Sequence, residues 1–348
     1  MLPVIRDPRD SDFTLAFIAV RIGFEHGWSR IYSLALQHEL FTELRPGVFF
    51  NDGQRYLAPP PLAWLTAPLT PLGAGSAFYA WTLISLAALV AAWWIAAPGS
   101  GLTRWLWLLG AIAWYPVLYS LAYGQPALVV MLAVLAAWRL AEGGRHYAAG
   151  VVLGVGMSLK PQLALALPVV LLAAWRWRIV AAWAATVGVL AILSLAMLGA
   201  GGLNDYRSLL AEAQPLVNNR YFTLAYVLGP GALSYAAQAV IVVIAGVAAY
   251  AQRASIDARL FALGLVASVF GATYWHLQDF TVLAGAAWLF WRANPPPWQR
   301  AWLVVVAITI ELAWPLRPLP LLIAVGVWFV LLCLPARFAA PQTSAAPA

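Results

Sequence analysis

Long runs of uncharged, apolar residues alternate with short polar segments along most of the chain. The clearest run, residues 76–97, contains no charged side chain. A run of roughly 18 such residues is long enough to cross the hydrocarbon core of a bilayer as a helix. The runs lack the alternation of membrane strands, and a helix satisfies its own backbone hydrogen bonds in lipid. The pattern therefore predicts an all-α fold, a polytopic transmembrane helical bundle.

The arginines between the runs predict an orientation, because positively charged loops stay in the cytoplasm. About eleven membrane segments follow from that rule, with an odd number of crossings that leaves the N-terminal region outside and the C-terminus inside. The predicted segments are 76–97, 104–122, 126–141, 147–159, 163–175, 179–199, 231–250, 259–275, 279–292, 301–316 and 319–335. The chain then divides into an extracytoplasmic and interfacial region (1–75), the transmembrane bundle (76–337) and a disordered cytoplasmic tail (338–348).

The N-terminal region has a different pattern. Residues 13–45 mix apolar positions at helical spacing with charges, which is typical of amphipathic helices at a membrane surface. Residues 1–10 contain no export signal, although the region after them is predicted to be outside. Either the following segments carry this region across the membrane, or the chain begins downstream of its native start. We expect the second, with one more apolar segment of about 20 residues encoded upstream.

Composition agrees with a membrane protein: 63% of the residues are hydrophobic and only 9% are charged. A soluble domain normally carries about 25% charged residues to cover its surface. The net charge of +7 does not indicate a nucleic-acid partner, because the basic residues are scattered between apolar runs. Cys333 is the only cysteine, so no intrachain disulfide is possible.

Lys160 has the most informative setting of any charged residue. It stands between two apolar stretches of 13 residues, 147–159 and 163–175, and Pro161 after it breaks the helical ladder. A buried charge at a helix break is costly unless it has a partner. One interpretation is an anion site, most plausibly for a phosphate, which Arg220 could supplement. The alternatives are a lysine that reaches the interface or pairs with a structural carboxylate.

Other polar groups fall on the same predicted outer side. Gln125 offers an amide group in a polar break between two segments, but physical reasoning alone favours an ordinary turn there. His276 and Asp279 could bind a substrate, a metal or each other, or they could equally well form only a hydrogen-bonded turn at the interface. One histidine with one acid is a poor metal signature, so no metal site is predicted. Asp12 fits a helix cap or first-turn acid, and nothing in its spacing raises it above that.

Taken in order, these motifs resemble glycosyltransferase family 87, which includes polyprenyl-phosphate-mannose-dependent α-mannosyltransferases and DUF2029 proteins. The resemblance covers most of the chain. The residues that carry it are Asp12-Phe13, Arg21, Gly27, Ile31-Tyr32, Tyr56, Pro59-Pro60-Pro61, Gly124-Gln125, Gly144-Arg145, Ala149-Gly150, Gly154, Lys160-Pro161-Gln162 and the turn from His276 to Asp279.

The resemblance implies a GT-C-like fold in the plasma (inner) membrane, with a multi-pass chain and an active site facing the extracytoplasmic side. It implies an inverting hexosyltransferase, without a cofactor, that moves mannose from a polyprenyl-phosphate donor to a glycolipid or glycan acceptor. The catalytic carboxylate of the family matches Asp12. Lys160 and Arg220 are then donor-phosphate residues, and Gln125, Gln162, His276 and Asp279 are substrate-binding residues.

Two other classes of function fit parts of the pattern. A transporter or lipid flippase would also use broken helices and intramembrane charge, but no internal repeat is evident. A non-catalytic membrane scaffold would not need Lys160 at a helix break. Asp279 and, less strongly, Asp52 compete with Asp12 for the role of general base.

Overall fold

The computed structural model describes residues 7–51 and 54–334. Within these residues the protein is helical and has no β-strand, which confirms the all-α part of the predicted fold. The predicted tail, 338–348, and the competing acid Asp52 lie outside the described residues.

The α-helices are α1 (Asp12–Glu25), α2 (Leu34–Leu44), α3 (Pro60–Thr66), α4 (Ala74–Ala96), α5 (Gly101–Ala113), α6 (Tyr115–Ala122), α7 (Ala127–Glu142), α8 (His146–Leu159), α9 (Leu167–Ala173), α10 (Trp177–Ala213), α11 (Val217–Arg220), α12 (Leu224–Leu228), α13 (Ala232–Ala251), α14 (Asp257–Phe270), α15 (Val282–Arg292), α16 (Pro297–Glu311), α17 (Ala313–Leu316) and α18 (Pro318–Cys333).

Among the described residues, three helices are long and apolar enough to cross a membrane: α4, α10 and α13. The bent pair α5 and α6 makes a fourth if it forms one span. The predicted count of about eleven membrane segments is not confirmed. Several predicted segments instead form shorter apolar helices, such as α8 and α18, which fall below the length of a full crossing.

The long helices present apolar side chains outward. α4 has 23 residues and a length of about 35 Å at 1.5 Å per residue. Its exposed residues include Leu83 and Trp94, while Trp81 and Leu89 on other faces are buried. Exposed apolar surface of this extent suits contact with lipid rather than water.

The position of α1 differs from the prediction of interfacial amphipathic helices, because α1 is buried in the protein. Nearly every residue from Phe13 to Gly23 is buried, on all sides of the helix. A helix that is apolar all round belongs in a core, and α1 packs against α2 and α3. α2 keeps more exposure and buries only Gln37, Leu40 and Phe41.

Two further boundaries differ from the sequence prediction. The predicted segment 104–122 is divided at Trp114 into α5 and α6, which are bent by 57°. Pro116, at the start of α6, has no backbone N–H to continue the helical ladder. The predicted outer loop 200–222 is helical as far as Ala213, because α10 continues past a break at Gly199, where φ is 60°.

The break predicted at Lys160 is present. α8 ends at Leu159, Lys160 is non-helical, and a 3-10 helix, Pro161–Ala164, leads to α9. α8 packs between α7 and α10. Gly150 allows the close approach to α10, since a Cβ atom there would lie 2.2 Å from the carbonyl oxygen of Ile179.

The buried apolar residues form two clusters. The larger one joins α4 and α7 to α9, α14, α15 and α18. The smaller one unites α1, α2 and α3 with Leu198 and Leu209 of α10. Val129 of α7 packs against both clusters. The N-terminal region is therefore a packed part of the fold.

Candidate active site

The turn between α6 and α7 is fixed against the first residues of α1. The backbone N–H of Phe13 donates to the carbonyl oxygen of Tyr123 at 3.1 Å. The indole Nε1 of Trp81 donates to the carbonyl oxygen of Gly124 at 2.8 Å. Gly124 has a φ of 63°, and a Cβ atom there would lie 2.6 Å from Phe13 Cβ. Only glycine accommodates both the backbone conformation and this contact.

That turn brings Gln125 between two charged side chains. Its amide Nε2 donates to Oδ2 of Asp12. Its Oε1 accepts a hydrogen bond from Nζ of Lys160 at 2.8 Å. No described residue donates a hydrogen bond to the second carboxylate oxygen of Asp12, Oδ1.

Lys160 also pairs with a carboxylate from the far end of the chain. Its Nζ lies 2.5 Å from Oδ1 of Asp279. Asp279 is fully buried, and its other oxygen accepts the backbone N–H of His276 at 3.2 Å. His276 Nε2 in turn lies 3.0 Å from Oδ1 of Asn219. One polar chain thus runs from Asp12 to Asn219 through side chains that are far apart in sequence.

Burial changes the ionisation of two groups that lie outside the candidate spans. It raises the pKa of Asp12, although the Gln125 hydrogen bond and the positive charge of Lys160 act in the opposite direction. Burial lowers the pKa of His276, so its imidazole is neutral near pH 7. A carboxylate with a raised pKa is better matched to proton transfer near neutral pH than an ordinary aspartate.

A large cavity of about 1040 Å³ opens beside this chain. Asp12, Gln125, Lys160, Gln162 and His276 line it, so the structure brings five of the predicted site residues together. Asp279 does not line it and lies behind Lys160. The cavity is large enough for a sugar and its phosphate.

A comparison with known protein families gives a match over most of the chain. The model of glycosyltransferase family 87 matches residues 56–315. The chain belongs to glycosyltransferase family 87. Neither a curated protein nor a solved structure matches it. Membership of the family and the apolar helices together indicate a membrane glycosyltransferase.

The match to glycosyltransferase family 87 covers the cavity residues from Tyr56 onward but not Asp12. In the structure, the contact between α1 and the turn at Gly124 brings Asp12 to the site. The assignment of Asp12 as a site residue therefore rests on its position in the cavity and on the sequence resemblance, because residues 56–315 of the family match do not include it.

Arg220 does not line the cavity. Its guanidinium donates to the carbonyl oxygen of Ala225 at 3.0 Å. The other cation in the cavity wall is Arg55, whose Nη1 lies 2.5 Å from a carboxylate oxygen of Glu212. Arg55 was not among the predicted site residues, although it directly precedes Tyr56, which carries part of the family resemblance.

Several other residues of the wall were also missed as site residues. Asn219 looks like part of a solvated loop in the sequence, but it is buried, and its Nδ2 donates to the carbonyl oxygen of Ala213. Tyr119 and Tyr123 line the cavity with ring centroids 4.5 Å apart. Their spacing of four residues, continued back to Tyr115, was the available sequence signal.

The described residues contain no group of three or more His, Cys, Asp or Glu side chains that could hold a metal ion. Among the described residues, the charged groups that line the cavity are one carboxylate, one ammonium and one guanidinium. Such groups can take up a proton from a hydroxyl and stabilise a developing anion.

Proposed function

We propose that the protein transfers a hexose, mannose in the first instance, from a polyprenyl-phosphate donor to a glycolipid or glycan acceptor. The observation that carries the proposal is the cavity wall in which Asp12 and Lys160 are joined through Gln125. A base and a cation within one cavity are the two charges that displacement of a phosphate at an anomeric carbon requires.

In the proposed reaction Asp12 takes the proton of the acceptor hydroxyl as its oxygen attacks the anomeric carbon. The bond from that carbon to the phosphate oxygen breaks, and its electron pair stays on the phosphate. Lys160 stabilises the charge that grows there. A single displacement of this kind inverts the anomeric configuration. His276 and Gln162 are placed to bind hydroxyl groups of the sugar from the cavity wall.

Asp12 is a better base than its competitor for a geometric reason. Both carboxylate oxygens of Asp279 are engaged, one by Lys160 and one by the backbone of His276. It has no exposed surface and does not line the cavity. A general base must reach the proton that it removes, so Asp279 serves to hold Lys160.

The orientation and location also belong to the proposal. The cavity is formed largely by segments that the arginine partition assigns to the outer side, including the start of α1 and the region after Tyr206. The proposed site therefore faces the extracytoplasmic side of the plasma membrane. No observation favours the transporter or flippase alternative.

The test compares Asp12→Asn with two matched variants in vesicles supplied with radiolabelled polyprenyl-phosphate mannose. Asp12→Asn should lower turnover by about 10²- to 10⁴-fold and leave donor affinity nearly unchanged. Asp10→Asn removes a nearby carboxylate that pairs with Arg45 at 2.7 Å, and most turnover should remain. Near-normal turnover in Asp12→Asn would contradict the proposal, and an inactive Asp279→Asn that retains donor binding and a folded state would move the base to Asp279.

A further inference from the structure

Gln125 occupies a position between an acceptor-only group and a donor-only group. A carboxylate at Asp12 can only accept, and the ammonium of Lys160 can only donate. The amide of Gln125 therefore has one orientation that satisfies both neighbours, with Nε2 toward Asp12 and Oε1 toward Lys160. The reversed amide would place two acceptors together on one side and two donors together on the other.

The backbone around Gln125 keeps the amide in place. Its own N–H donates to the carbonyl oxygen of Ser120 at 2.9 Å. Gly124 before it is fixed by Trp81 and by contact with Phe13. Gln125 itself is only 9% exposed. A side chain with so little freedom can set the direction of a neighbouring carboxylate at little cost in conformational entropy.

We propose that Gln125 is a positioning residue, which orients the Asp12 carboxylate and couples its protonation to the charge of Lys160. The sequence interpretation of Gln125 as a substrate-binding residue is thereby replaced by a role within the protein. The inference rests on the proposed function, because it takes Asp12 as the base.

The coupling follows from the charges around Asp12. Through its Nε2–H, Gln125 stabilises the ionised carboxylate, and the adjacent ammonium polarises the amide in the same sense. The other charged or titratable groups that interact electrostatically with Asp12 are Asp10, Asp279, Tyr119 and Tyr274. Of these groups and Gln125, only Gln125 touches the Asp12 carboxylate.

Gln125→Glu is the informative substitution because it keeps the size and the contact with Lys160 but removes the donor. Two carboxyl groups would then share the site, and like charges in contact hold one proton to a higher pH. The pH at which Asp12 is half protonated should rise by about one unit or more. Gln125→Met removes the donor without adding a charge and should produce a smaller rise in the same direction.

Two readouts measure this midpoint. The first is the acid limb of kcat/KM against pH. The second needs no turnover: a hydrophobic carbodiimide modifies protonated carboxyl groups, and peptide mass spectrometry can follow its addition to Asp12 at each pH. Gln214→Glu is the control, since it adds the same charge to the cavity wall without a bond to Asp12. Its midpoint should stay close to that of the wild type.

A merely structural Gln125 would give a different result. Gln125→Glu and Gln125→Met would then lower transfer at every pH and leave both midpoints in place, which would overturn the inference. If Gln125→Glu does not insert, Gln125→Met alone decides it. Failure of the proposed function is a separate outcome, because it appears as an active Asp12→Asn whatever happens at Gln125.

Discussion

The ammonium of Lys160 donates to both Gln125 and Asp279, so it contributes to the fold as well as to the cavity wall. Its side chain is 11% exposed, and that of Asp279 is fully buried. Removing one partner of such a pair leaves an uncompensated buried charge, which typically costs about 3–5 kcal/mol. Loss of activity in a single variant would therefore not separate the two roles of Lys160.

A double variant separates them. Lys160→Met and Asp279→Leu should each lower the thermal midpoint of the purified protein, while the combination should recover much of that loss, because an apolar pair can replace a buried ion pair. Transfer should stay abolished in the double variant if Lys160 stabilises the leaving phosphate. Recovery of both stability and transfer would show that Lys160 is structural.

The ionisation of Asp12 predicts the acid side of the pH profile. Because burial raises its pKa, Asp12 takes up its proton at a higher pH than an ordinary aspartate, whose value is about 4. A base acts only when ionised, so kcat/KM should fall as pH falls through this raised value. The limb should persist in His276→Gln, since burial lowers the pKa of His276 to about 4 and keeps its imidazole neutral above that pH. A limb at or below the ordinary aspartate value would contradict the assignment.

At the scale of elements, α8 and α10 are held close together by small residues. A Cβ atom at Gly150 would meet the Ile179 carbonyl oxygen at 2.2 Å, and one at Gly154 would lie 2.8 Å from Thr186. Glycines four residues apart on one helix face allow two helices to approach closely in a membrane. This contact holds α8, whose C-terminal end precedes Lys160, against α10.

We expect Gly150→Val to destabilise the protein by about 1–3 kcal/mol or more, because the larger side chain must push α10 away. Gly188→Val is the matched control, because it makes the same change on α10. No described atom outside the helix's own backbone would lie within 4 Å of a Cβ atom at Gly188. Thermal unfolding of both variants in detergent tests the difference. Equal midpoints for the two would mean that the α8–α10 contact is unimportant for stability.

Helices were predictable where local rules dominate. The uncharged run 76–97 gave α4 nearly to the residue, and Pro161 gave the break after α8. The burial of α1 was not predictable, because its scattered charges resemble a surface helix while its partners come from distant segments. The ion pair between Lys160 and Asp279 joins residues 119 positions apart, and only tertiary packing brings them together.

For the whole molecule, the partition of arginines between the loops predicts which loops lie outside the membrane. In a Cys333→Ala background, Asn204→Cys should react with an impermeant maleimide in intact cells, because the rule places it outside. Gly143→Cys, in the exposed turn between α7 and α8, should react only after permeabilisation. The opposite labelling pattern would invert the topology and place the cavity in the cytoplasm.

The break at Gly199 divides α10 into two parts with different surroundings. The first part is exposed and apolar. The second carries Tyr206, which stacks on Tyr32, and Glu212, which pairs with Arg55 in the cavity wall. A straight helix would transmit any tilt imposed by a thinner or thicker bilayer into that wall. Because Gly199 interrupts the helix, the direction of the second part, which reaches the cavity wall, is not dictated by the tilt of the first part.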